Sequence, residues 1–95
     1  SAVDAMLKER GYLEGKLYPR INKATENGLL TEEMAKWAHQ VRLEANDQRH
    51  SDEDSPIPTV EEAKQCIKFT QTLAELLFIL PAKVTRGIED TKQSE

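Results

Sequence analysis

The residues best equipped for chemistry gather in one stretch, Trp37 to His50, which reads WAHQVRLEANDQRH. Set on one helix at about 100° per residue, His39, Arg42, Asn46, Arg49 and His50 share an arc about 100° wide. Met34, Trp37, Ala38, Val41 and Ala45 fill the adjoining arc, so the polar set borders an apolar stripe instead of facing bulk water. Phosphodiester cleavage without a metal needs a group that exchanges a proton near neutrality, which histidine does. It also needs a fixed cation on the phosphate oxygens, which arginine's planar fork supplies. An amide such as Asn46 orients either. The same five residues read equally well as a polar seam between packed helices, with His50 favoured near a helix C-terminus by the dipole.

Other chemistry finds little support. No Cys or His pair stands at zinc-ligand spacing, and there is no glycine-rich phosphate loop, GxSxG or HExxH. No metal site and no cofactor is expected. Asp52, Glu53 and Asp54 lack the glycine and spaced glutamate of a calcium loop and read as a solvated linker. Cys66, the single cysteine, sits in a helical apolar pattern and reads as core, as does Trp37. The net charge is −4, and those three acids account for most of it. A near-neutral remainder argues against a broad nucleic-acid surface and leaves room only for a small basic site.

These side chains need a scaffold, and the spacing predicts an all-α one. Helices are expected over residues 2–10, 17–27, 32–50 and 60–80, with an acidic loop at 51–58 and a fraying tail at 89–95. Gly11 and Asn27-Gly28 are helix stops, and Leu29 or Leu30 is expected to fold back onto the stripe of Leu17, Ile21 and Ala24. Pro19 fits only a first helical turn. Thr31 and Thr59 are N-caps, each followed by acids in the first turn. The last long helix is apolar over about half its circumference and all round at Leu76–Leu80. Three short helices cannot cover such a run, so part of it is expected to meet another subunit or the remainder of a longer parent chain. Pro81 is expected to stop or kink it, with one more short helical segment over 82–88. No strand pattern, repeat or useful heptad seam competes.

The result is one domain, residues 1–95, a small up-and-down helical bundle. No run approaches the ~18 apolar residues of a membrane span, and the expected setting is soluble and cytoplasmic. The chain opens Ser1-Ala2-Val3, which suggests a piece of a longer protein with an incomplete first helix.

The residues also resemble a known family. Leu17-Tyr18-x-Arg20-Ile21, Asn27-Gly28-Leu29, WAHQVRLEANDQRH, Thr59-x-Glu61-x-Ala63 and Leu80-Pro81-Ala82-Lys83-Val84 follow one another as in a widespread prokaryotic domain-of-unknown-function family. The resemblance covers about residues 12 to 84. That family is similar to the HEPN superfamily of α-helical bundles, which includes RNA-cleaving toxins and defence proteins. In its nucleases an Arg and a His meet their copies across a dimer interface and support attack of a ribose 2′-hydroxyl on the adjacent phosphate. The resemblance points to Arg42 and His50 as the catalytic pair, with Asn46 as the accompanying polar residue; His39 and Arg49 join Asn46 as candidate binding residues through their place on the polar arc. Seven residues lie between Arg42 and His50, a wider gap than those nucleases use. Ala45-Asn46 stands where the family often has Gly-Asn, and Arg49 adds a cation beside His50.

Two functions follow as expectations. The first is an accessory helical module that self-associates, with a nucleotide or RNA as candidate ligand, in a bacterial defence or stress protein. The second is a metal-independent endoribonuclease with His50 as proton shuttle and Arg42 as phosphate clamp.

Overall fold

A computed structural model describes residues 1–43 and 57–94. Helix α1, Ala2–Glu9, is capped by Ser1, whose Oγ accepts the Asp4 amide at 3.2 Å. Gly11 ends it at φ +97°, a conformation that a side chain would strain. This lets the Tyr12 amide reach the Leu7 carbonyl at 2.9 Å and the Gly11 amide reach Lys8 at 3.0 Å. Helix α2, Leu17–Glu26, holds Pro19 in its first turn, where the missing N–H costs no intrahelical bond. Beyond it Leu29 donates to the Ala24 carbonyl at 2.9 Å, and Leu30 folds back into the core as expected.

Thr31 caps α3, Glu32–Gln40, by accepting the Met34 amide at 3.1 Å. Thr59 caps α4, Val60–Ala74, by accepting the Glu62 amide at 3.0 Å. The largest fully buried side chains are Leu7, Ile21, Phe69, Leu73 and Leu77, so α4 runs through the centre of the core that α1 and α2 help close. Trp37 meets Phe69 edge to face, ring centroids 5.3 Å apart, and fixes α3 against α4. Every element among the described residues is helical, and the architecture is a small all-α bundle.

Two expectations about helix length fail, for different reasons. The helix expected over 32–50 ends at Gln40. The Val41 and Arg42 amides close its last carbonyls, Trp37 at 3.0 Å and His39 at 3.1 Å. Arg42 then turns left-handed at φ +55°. Val41 and Leu43 are both buried, at 8% and 5% exposure. Two residues apart on one helix they would point about 200° away from each other. The left-handed turn removes that conflict, and burial of both side chains decides against helix continuation.

The helix expected to stop or kink at Pro81 instead carries on. Between Glu75 and Ile79 it widens into a π-helical turn, and α5 follows directly over Leu80–Ser94. Residues 89–94 are therefore helical, not a fraying tail. Pro81 has no N–H to offer the Leu77 carbonyl four residues back. Arg10 supplies the missing donor: its Nη1 lies 2.8 Å from that oxygen. Together α4, the π turn and α5 form one rod about 50 Å long at about 1.5 Å per residue. The molecule accordingly measures 61 × 27 × 20 Å, with a radius of gyration of 15.9 Å. About 12 Å would be usual for a chain of this size.

Candidate functional site

Of the five site residues expected from sequence, the structure places two. His39 lies in the last turn of α3, exposed, with its imidazole stacked on the Tyr18 ring at 4.3 Å and 27°. Arg42 is exposed beyond the end of that helix in the left-handed turn, at the edge of a small cleft with Trp37, Gln40, Glu62 and Gln65. Asn46, Arg49 and His50 lie outside the described residues, as do Asp52, Glu53 and Asp54. The one-helix arc that united the five rested on a continuous helix from 32 to 50. With α3 ending at Gln40, His39 and Arg42 no longer share a helix face.

Other polar groupings are better formed. Arg20 is buried at 7% exposure. Its Nη2 is paired with the Asp4 carboxylate, and its Nη1 donates to the Tyr12 carbonyl at 3.2 Å. Lys8 reaches the same carboxylate at 3.2 Å from one turn along α1. The Arg20 Nε has no hydrogen-bond partner. This clamp joins α1, α2 and the loop between them, which is a structural duty: a buried guanidinium is held only by its partners. Its sequence signal was the position of Arg20 on the apolar stripe of α2, between Leu17 and Ala24. Nearby the Asn27 amide donates to the Tyr12 hydroxyl at 3.0 Å. Arg10, Tyr12, Lys23 and Asn27 share a shallow cleft at this end of α2. Cys66 donates from Sγ to the Val41 carbonyl at 3.3 Å, which satisfies the backbone where α3 breaks off. Among the described residues no group of three His, Cys, Asp or Glu side chains is placed to hold a metal ion.

The profile of a domain of unknown function, DUF4145, matches residues 1–92. The chain belongs to this family. No curated protein and no solved structure matches it.

In this DUF4145 domain the most unusual surface is apolar. Leu77 is buried, yet Ile79 and Leu80, two and three residues later, are about half exposed. Along α5, Leu80, Val84 and Ile88 stand 51%, 54% and 52% exposed, one above another at i, i+4 and i+8. They lie on a narrow arc, with Gly87 and Thr91 beside them. A groove lined by Thr72, Leu76, Ile79, Leu80 and Lys83 runs alongside. Among the described residues no helix is long and apolar enough to cross a membrane.

Proposed function

We propose that this domain is an association module that pairs with a second copy of itself through the apolar face of α5. The observation that carries the reading is the half-exposed row Leu80, Val84 and Ile88, set on the rod that also forms the centre of the core. Large apolar side chains in a continuous row on a surface helix mark an interaction site more often than chance exposure does.

Magnitudes say what kind of pair to expect. Complete burial of a Val, Leu or Ile contributes about 1.5–3 kcal/mol, so side chains already half covered add about half of that. Six of them, three from each copy, add about 5–9 kcal/mol. Association costs about 4–15 kcal/mol in lost freedom. The net gain is at best about 5 kcal/mol, so the pair is weak on its own, assembling at hundreds of micromolar and above. Avidity within a longer chain would strengthen it.

The HEPN kinship, the prokaryotic and cytoplasmic setting, and a nucleotide or RNA ligand enter this reading through the resemblance of the motif residues. The helical bundle is compatible with that kinship. The endoribonuclease reading stands beside it on the motif alone: Arg42 lies in the left-handed turn after α3, and its proposed partner His50 lies outside the described residues.

Sedimentation over a concentration series tests the proposal. A reversible dimer is expected, lost in Val84→Asp and Ile88→Asp while the circular dichroism of the fold is retained. A strict monomer at the highest concentrations would refute it.

A further inference from the structure

Resting on the association reading, we infer that the two α5 helices pair antiparallel, with the two-fold axis passing between Thr85 and Arg86. Three observations set this geometry.

The first is the spacing of the face. Leu80, Val84, Gly87 and Thr91 recur at intervals of four, three and four residues. This is the rhythm by which one helix seats its side chains between those of another. It spans too few turns for a free-standing coiled coil. It does not stand alone, however, because the row extends a helix already anchored by the buried Leu73 and Leu77.

The second is Gly87. A Cβ placed there would meet nothing within 4 Å, so the domain itself has no steric need for glycine at that position. Glycine also weakens a helix interior. In the antiparallel register Gly87 lies opposite Val84 of the second copy, and Leu80 lies opposite Thr91. The missing side chain then leaves room for the branched one across the axis.

The third is charge. Lys83 and Asp90 lie on one flank of the face, seven residues apart, and Pro81 and Ile88 lie on the other. Antiparallel pairing brings each flank against its own copy. Lys83 then faces Asp90 of the second copy, twice over, while the Pro81 and Ile88 flank meets its apolar counterpart. Parallel pairing would set the charged flank against the apolar one. The surface is complementary to itself in only the antiparallel arrangement.

Disulfide trapping in the full chain tests the register, in a Cys66→Ser background that keeps a donor toward the Val41 carbonyl. Leu80→Cys and Thr91→Cys chains carrying tags of different mass are mixed and oxidised. A crossed dimer of the two is expected. Leu80→Cys alone is expected not to link, because its two copies would sit about 16 Å apart along the axis at about 1.5 Å per residue, beyond the ~7 Å reach of a disulfide. Separately, Lys83→Glu is expected to weaken the dimer about 3- to 10-fold, and adding Asp90→Lys to restore it, the size expected of two exposed pairs. Self-linking of Leu80→Cys, or no restoration in the double exchange, would overturn the antiparallel register and leave association standing. A monomer in every sample would overturn both.

Discussion

The contact between Arg10 and Leu77 decides whether the long helix can pass its proline. Proline inside a helix removes a hydrogen bond and pushes its ring toward the carbonyl four residues back, at a cost of about 3 kcal/mol. Here the π turn over Glu75–Ile79 opens the helix just before Pro81, and the Leu80 amide bonds to Glu75. Pro81 leaves the Leu77 carbonyl, whose residue is only 1% exposed, without a donor four residues on. Arg10 reaches it at 2.8 Å. A bond from a charged donor to such an acceptor is worth about 1.5–3 kcal/mol when fully buried. Arg10 is itself exposed, which brings the value down to the bottom of that range or just below it, about 1–2 kcal/mol. Arg10→Met keeps most of the apolar stem and removes the donor. It should lower unfolding free energy by that amount in urea titrations followed by circular dichroism. The same change in a Pro81→Ala background should cost less than ~0.5 kcal/mol, because the backbone at position 81 then carries an N–H that supplies the bond. The coupling between the two positions is thus about 1 kcal/mol. Equal costs in the two backgrounds would refute the reasoning and make Arg10 an ordinary surface residue.

Three further outcomes follow from the same structure. Phe69→Ala should cost about 3–5 kcal/mol, since this 1% exposed ring fills the core and is the partner of Trp37; for a domain of this size thermal melting should show most of the population unfolded. Arg42→Gly should be neutral or stabilise by up to ~1 kcal/mol in the same titration, because glycine relieves the left-handed conformation while loosening the unfolded chain. RNA incubated with the domain in chelator should stay intact; cleavage that disappears in His50→Ala would establish the nuclease reading instead.

Local rules read well from the chain. Ser, Thr and Gly at helix ends act through their own hydroxyls or their own φ angles, so Thr31, Thr59, Gly11 and Gly28 behave as their types and positions predict. The return of Leu30 onto α2 was legible for the same reason. What failed depends on partners distant in sequence. Nothing within residues 32–50 says that Val41 and Leu43 must both be buried, because the pressure comes from the core formed with α4. Nothing around Pro81 says that Arg10, far away in the chain, will complete its helix. The burial of Arg20 was half visible in the α2 stripe, but its partner Asp4 was not. The candidate site was read by residue type and spacing on a helix that ends early. Of its described members only His39 keeps the helical position expected for it.

The passage of the helix through Pro81 also determines what the domain can do with its outer half. Had the chain stopped or turned at the proline, Val84 and Ile88 could have folded back beside Leu77 as a short capping segment, and the apolar row would have been spent inside the bundle. Continuation holds these side chains away from their own core, on a rod too stiff to return them to it. The wider π turn resets the angular phase of every residue after it, so the outer face is set by the same irregularity that accommodates the proline. Arg10 anchors that irregularity to α1. Stability of the bundle and orientation of the pairing face are therefore linked at one place. Arg10→Met, measured by sedimentation as well as by urea, should weaken dimerisation beyond the loss expected from partial unfolding alone. If dimerisation falls only in proportion to the folded fraction, the turn serves the fold and not the face.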